Sequence, residues 1–458
     1  MRAAGFLLLA LASALPAAAQ DASAPQLVGV ARIPSNARDT TGETLGGFGS
    51  GMALVPGSWH RVGDHFAGRL VMAPDRGWNK DGTVDYQARL QSFDVALTPG
   101  QAFKLTYRHS QLLTDAQGAP TSGLDPDSVR PAARGLPDLP QASNGHISLD
   151  DEAVALPGDG TAWVSDEYGP YIYHFDAHGR MTGAIRPPDA FVPMRGGKVM
   201  FSAGETAKGE PETGRQNNQG FEGMSLTPDH KHLLVISQSA LMQDVDPANI
   251  KTTRRNVRLL DYDLTAAAPR LVHEYIVPLP LWSDGTSPNL VAAQSEMLAL
   301  GETRVLLLCR DSNGGFTGKR DASAFRRVML VDLKGASDIR GRYDAAGASV
   351  APGGVLRSDI TPARLSTLLD INDNGQLARF GLHNGAPNDR NDLYEKWESL
   401  ALAPARDPKA PDDWFLFVGS DNDFVTQDGV MVGKPYADSS GANVDTLVLA
   451  YRLRLPDR

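Results

Sequence analysis

Glu152-Ala-Val-Ala-Leu156, followed by Trp163-Val-Ser-Asp-Glu167, is the stretch on which the fold is read. It consists of a glutamate, a short apolar run, a turn, and a second apolar run that ends in polar or acidic residues. The pattern recurs at Glu222-Gly-Met-Ser-Leu226 with Leu234-Val-Ile-Ser-Gln238. It recurs again at Glu296-Met-Leu-Ala-Leu300 with Leu306-Leu-Leu-Cys-Arg-Asp311, and at Glu398-Ser-Leu-Ala-Leu402 with Leu416-Phe-Val-Gly-Ser-Asp-Asn-Asp423. A degenerate fifth copy, Gly49-Ser-Gly-Met-Ala-Leu54 with Arg69-Leu-Val-Met-Ala-Pro-Asp-Arg76, puts small residues where the glutamate stands, with Gly51 marking the gap. Self-similarity of this kind predicts one structural unit used several times.

The runs are short, rich in β-branched and aromatic residues, and bounded by turn chemistry such as Pro157-Gly-Asp-Gly160 and Pro228-Asp-His-Lys231. Further strands are expected at Arg69–Met72, Ala102–Tyr107, Tyr171–Phe175, Val257–Tyr262, Arg327–Val331 and Thr446–Tyr451. Helical periodicity is nearly absent; a turn or two is expected over Pro362–Leu369. Thr114–Gly145, Arg195–Gly220 and Gly335–Val355 read as long loops. The copies at Glu152, Glu222 and Glu296 are spaced by about seventy residues and the step to Glu398 is longer, beyond the roughly 40–45 of a WD40 unit, which leaves room for insertions. The expected fold is all-β: a β-propeller of six blades, each a four-stranded antiparallel sheet, with long inserted loops.

Arg2, the apolar run Phe6–Leu15 and Ala17-Ala-Ala19 read as a secretory signal peptide over residues 1–19, ahead of one domain over 20–458. The run is too short to span a bilayer, so a secreted or periplasmic protein is expected. A net charge of −10 argues against a nucleic-acid partner. The single cysteine, Cys309, lies in an apolar run and reads as a buried thiol.

Antiparallel pairing in each copy brings the acidic end of the second run beside the glutamate. Glu152 is then near Asp166 and Glu167, Glu222 near Gln238, Glu296 near Arg310 and Asp311, and Glu398 near Asp421 and Asp423. In a propeller these edges converge on one channel mouth. Clustered carboxylates repel unless some protonate or a cation neutralises them, and oxygen ligands suit Ca²⁺ or another hard divalent ion. Glu152, Glu222, Glu296 and Glu398 are therefore candidate metal ligands; Asp166, Asp311, Asp421 and Asp423 are candidate catalytic groups. Arg76 and Arg310, with Lys319 and Arg320 nearby, are candidate contacts to an anionic substrate. Two other readings use the same residues: glutamates that cap backbone amides or pair with arginine, and direct acid–base chemistry without a metal. Asp370-Ile-Asn-Asp-Asn-Gly375 matches half of an EF-hand loop but has Gly381 at the twelfth place, and reads as an Asx-rich turn. Gly314-Gly-Phe-Thr-Gly-Lys-Arg320 lacks the first glycine and the Ser/Thr of a P-loop.

Asp166-Glu-Tyr-Gly-Pro170, Asn218-Gln-Gly-Phe-Glu-Gly223 with Pro228-Asp229, Val257-Arg-Leu-Leu-Asp-Tyr-Asp263 and Ser420-Asp-Asn-Asp-Phe424 resemble the phytase-like, "esterase-like activity of phytase" family of bacterial exported proteins. The resemblance runs from about Gly46 to Leu453. It implies a β-propeller and hydrolysis of a small ester or phosphoester, and by analogy with calcium-dependent propeller phytases and lactonases, a channel cation. The competing expectation is a non-catalytic cell-envelope propeller that binds a ligand or partner, with the glutamates structural.

Overall fold

Each sequence repeat forms the two inner strands of a four-stranded antiparallel sheet. The computed structural model describes residues 24–80, 82–312 and 314–455; the expected signal peptide lies outside the described residues. The first blade is Gly51–Leu54, His65–Ala73, Arg89–Thr98 and Ala102–Leu112, with His60–Val62 added beside its second strand. The second is Asp151–Ala155, Ala162–Asp166, Ile172–Phe175 and Met181–Ile185. The third is Phe221–Leu226, His232–Ser237, Asn256–Asp263 and Arg270–Pro278. The fourth is Ala293–Ala299, Arg304–Arg310, Arg326–Asp332 and Arg364–Asp370. The fifth takes Trp397–Pro404, Asp413–Ser420 and Thr446–Arg454 from the C-terminal part of the chain and Gln26–Ile33 from its other end. Pairing of Gln26–Ile33 with Thr446–Arg454 ties the two ends of the chain into one sheet.

The inner strands touch in turn, first to second, on to the fifth, and fifth back to first. Apolar cores fill the gaps between neighbours. Val164, Tyr173 and Phe175 meet Leu90; Phe221, Met224 and Val235 meet Ala153 and Ile172; Leu307 and Cys309 meet Leu234 and Leu259. Leu416 and Val418 meet Leu306 and Leu308, and Phe415 and Phe417 meet Phe66 and Phe93. Burial on both faces explains why these strands read as continuous apolar runs. Among the described residues the ring thus closes through five sheets, where six blades were expected. A further small sheet, Thr121–Ser122, Ile147–Ser148, Leu139–Gln141 and Ser128–Arg130, is folded from the insertion ahead of the second blade and stands outside the ring. Its strands of two or three residues are too short to span a blade.

The turn of helix expected over Pro362–Leu369 is instead the edge strand Arg364–Asp370, held in register by pairing with Arg326–Asp332. Tertiary pairing overrides a weak local preference there. Asp373 accepts from the amides of Gly375 and Gln376 and caps the single turn Asn374–Leu377, so the EF-hand-like run is a capping turn. Cys309 is fully buried. No helix among the described residues is long and apolar enough to cross a membrane.

Candidate functional site: an acidic channel mouth

The central channel has two unlike ends. One, of about 140 Å³, is lined mostly by aliphatic residues, among them Leu54, Leu156, Leu226 and Leu402, with no charged side chain. At the other, a cleft of about 270 Å³ collects eight carboxyl groups (Asp75, Asp150, Glu152, Glu167, Glu222, Glu395, Glu398, Asp423) against three cations (Arg76, Arg310, Lys396). Asn79, Asn218, Gln219, Gln238 and Ser312 complete its wall.

A β-bulge aims the glutamates. Strand pairing slips between Asp151 and Val154, between Phe221 and Gly223, and between Trp397 and Ser399, so Glu152, Glu222 and Glu398 each fall in the slip. Bulges re-aim side chains in this way. In the fourth blade the slip comes one residue earlier relative to the glutamate, between Gln294 and Glu296. Ser295 therefore holds the bulged place, and Met297, Leu298 and Ala299 line the channel where Met224, Ser225 and Leu226 line it in the third blade. An offset of one residue turns a strand side chain to the other face. Glu296 is thus buried between blades, and its Oε1 accepts from the amides of Met297 (2.7 Å) and Met224 (3.3 Å). It is not brought to the mouth with the other three. In the first blade, counting back from Leu54, Ser50 rather than Gly51 occupies the glutamate's place.

The mouth divides into two halves. In one, Lys396 Nζ lies 2.8 Å from Asp421 Oδ2, 2.8 Å from Asp423 Oδ1, 3.3 Å from Glu398 Oε2 and 3.8 Å from Asp75 Oδ2. Burial and these carboxylates act on the lysine in opposite senses, and the carboxylates win, holding its pKa well above the ordinary value. Burial pushes Asp423 up, but Lys396 and Lys80 pull it down to about 2. Asp421 is pushed up to about 7 by burial, which Lys396 only partly offsets while Asp423 and Glu398 add to it. Arg310 pairs with Glu398 at the edge of this half.

In the other half, one oxygen each of Asp150, Glu152 and Glu167 lie within 4.8 Å of one another, all three residues buried. Arg76 Nη1 is 3.2 Å from Asp150 Oδ2 and is the cation set against them. Burial, then Glu222 and Asp150, hold Glu152 well above the usual carboxylate range. Burial and Asp150 hold Glu167 at about 8 in spite of Arg76. Glu222, raised by burial and by Glu167, accepts from Gln238 Nε2 at 2.7 Å. Glu167 Oε1 and Glu222 Oε2 are buried with no hydrogen-bond partner. This half, with an all-oxygen donor set and unpartnered atoms, could hold a hard cation; the half around Lys396 already has one charge at its centre.

Two candidate catalytic groups hold loops instead. Asp166 takes four donors, the amides of Asp150, Tyr168 and Gly169 and the Tyr173 hydroxyl, so it pins the turn after its strand while Glu167 faces the cleft. Asp311 accepts from Ser323 Oγ (2.6 Å), the Ala324 amide and Arg320 (both 2.8 Å), and lines a neighbouring pocket rather than the mouth. Asp423 lines the mouth and Asp421 lies behind it, while Arg76 and Arg310 stand on opposite halves of the wall. Asp75, Asp150, Glu395 and Lys396 were not singled out from the sequence. Asp75 sits in the degenerate first repeat at the same strand end as Glu167, which was the available signal; Glu395-Lys396 precede the inner strand of the fifth blade and carry no such pattern.

Residues 44–424 match the family model described as "Phytase-like: Esterase-like activity of phytase". An "Uncharacterized secreted protein" of Arthroderma benhamiae is 40% identical over 449 residues, covering 88% of this chain and 87% of that one. Among solved structures, a putative oxidoreductase (glucose dehydrogenase) of Thermus thermophilus overlaps at 10% identity and a TM-score of 0.29, covering 93% of this chain and 96% of the other. The PQQ-bound aldose sugar dehydrogenase of Streptomyces coelicolor overlaps at 10% identity and a TM-score of 0.27, covering 88% and 93%. Both structural overlaps are too slight to bear on chemistry.

Proposed function

This chain belongs to the phytase-like family whose description is esterase-like activity of phytase, and on that premise we propose that it is an exported hydrolase of a small ester or phosphoester, working with a divalent cation at the acidic channel mouth. The observation that carries the reading is the charge imbalance of eight carboxyl groups against three cations in one cleft, three of the carboxyls being within reach of a single ion. A buried excess of this kind needs protons or a cation to persist.

Asp150, Glu152 and Glu167 would hold the ion. When bound, such an ion polarises an ester or phosphoryl oxygen and acidifies a bound water. Arg76 and Arg310, on either side of the cleft, orient an anionic group by forked hydrogen bonds. Glu222, kept protonated by burial and by Glu167, is placed to give a proton to a leaving oxygen. Asp423, held ionised beside Lys396, stays an anion and keeps the ammonium fixed in the mouth.

The test is calcium titration calorimetry on the mature protein, together with turnover of a phosphoester, aryl ester and lactone panel. Binding that Glu152→Gln weakens, with turnover lost in parallel, is the expected result. No calcium binding and no turnover of any substrate sinks the proposal. Lys396 gives a specific reason to keep a second reading, a non-catalytic propeller, because its ammonium already neutralises part of the mouth. That reading predicts variants that lose thermal stability without any activity to lose.

A further inference from the structure

Beside the acidic mouth lies a pocket of opposite sign. Its volume is about 500 Å³, and its wall carries Lys251, Arg254, Arg310, Lys319 and Arg320 against only Asp284 and Asp311. In a chain whose net charge is −10, that concentration of cations is a local reversal. One acid offsets a single cation of the wall, Asp311 through its ion pair with Arg320, and the other is spent on its own loop. Asp284 is taken up by its own loop, accepting from the Thr286 amide and hydroxyl and the Ser287 amide. Asp311 is committed to Ser323, Ala324 and Arg320.

Two arginines of the wall each leave one donor without an acceptor. Arg254 donates to Gln219 Oε1 at 3.2 Å through Nη1, but its Nε is buried with no partner. Arg310 is paired with Glu398 through Nη2, and its Nε is likewise buried and unpartnered. A buried N–H without an acceptor is unfavourable, and two guanidinium groups sharing a wall repel one another. Among the described residues, neither Lys251 nor Lys319 takes part in an ion pair. Trp282 forms an aromatic face in the same pocket, with the Arg320 guanidinium 4.9 Å from its ring centroid.

We propose that this pocket is a second site, one that binds a small oxyanion, either a phosphate or a carboxylate, between Arg254, Arg310 and Lys319. Arg310 lines both cavities, so the anion site shares a wall with the acidic mouth while selecting the opposite charge. The inference stands apart from the hydrolytic reading: it requires neither turnover nor a cation.

The experiment is calorimetry of the full mature protein with inorganic phosphate and, separately, acetate, in the presence of a chelator so that no metal in the mouth contributes. Lys319 and Lys104 are both exposed on the folded protein, so Lys319→Gln tests the site without disturbing packing and Lys104→Gln, on the edge of the first blade, is the control. Expected is one-to-one binding that weakens about tenfold in Lys319→Gln and in Arg254→Gln, the loss of one charge-assisted contact, and that Lys104→Gln leaves unchanged. Phosphate binding without acetate binding identifies a phosphate site; binding of both identifies a general oxyanion site. Absence of binding by both probes overturns the proposal. So does binding that Lys319→Gln and Lys104→Gln weaken equally.

Discussion

Lys396 Nζ lies 2.8 Å from Asp421 Oδ2, and the same ammonium is shared with Asp423, Glu398 and Asp75. Its removal leaves those carboxylates facing one another in a buried setting. Lys396→Met should therefore destabilise the protein by about 3–5 kcal/mol, the usual cost of breaking one partner out of a buried ion cluster. Calcium should raise the melting temperature of the variant more than that of the parent, because a cation can take the vacated place. Thermal unfolding with and without calcium measures both effects. Equal melting temperatures for variant and parent without calcium would show that the lysine carries no such burden.

Glu152 and Glu296 hold the same place in the sequence repeat and different places in the fold. Glu152→Gln removes a mouth carboxylate and should weaken calcium binding by tenfold or more. Glu296→Gln keeps an oxygen that can accept from the Met297 and Met224 amides. Burial already holds the Glu296 pKa well above the usual range, so the amide replaces a group favoured in its neutral form. Calcium affinity should be unchanged and stability altered by less than about 1 kcal/mol. Weakened calcium binding in Glu296→Gln would mean that its side chain reaches the mouth after all.

Gly223 is required by the neighbouring blade. A Cβ on it would stand 2.6 Å from the Met297 amide nitrogen and 2.9 Å from the Glu296 carbonyl carbon. Those atoms are backbone and cannot rotate aside, so Gly223→Ala must part the inner strands of the third and fourth blades. A loss of about 1–3 kcal/mol is expected, read as a lower midpoint in urea. An unchanged midpoint would mean that the ring opens there at no cost.

The repeated glutamate hairpin was sufficient to place the inner two strands of every blade, because strands buried on both faces must be continuously apolar. It was not sufficient to set the register of the fourth. In Gln294-Ser295-Glu296 the bulge falls on the serine before the glutamate, and in Phe221-Glu222-Gly223 on the glutamate itself, a one-residue difference that the shared pattern of glutamate and apolar run does not encode. The same one-residue ambiguity separates Asp166, spent on a turn, from Glu167, which faces the cleft. Lys396 was illegible for another reason. A lone lysine before a strand has no pattern, and only the fold reveals that Asp75, from the first blade, shares its charge. The closing strand Gln26–Ile33 was missed likewise, since its partner Thr446–Arg454 lies more than four hundred residues away.

Glu274 gives a pH dependence remote from the mouth. It is fully buried in the third blade, with Arg258 Nη1 3.2 Å from Oε1 and no hydrogen-bond partner for Oε2. Burial raises its pKa from 4.5 to about 7, with Asp344 adding to the rise and Arg258 opposing it. The folded state therefore binds the proton more tightly than the unfolded chain does. The stability tied to this group is complete below about pH 4.5 and is lost as the pH climbs through 7. A shift of that size corresponds to roughly 3 kcal/mol across the window. Other buried carboxyls, Asp166 among them at about 7, titrate in the same range, so the informative quantity is the difference between parent and Glu274→Gln. Urea unfolding from pH 4.5 to 8 should show a shallower decline for the variant, which cannot ionise. Parallel curves would assign the decline to the other carboxyls and leave Glu274 protonated, or compensated by Arg258, throughout.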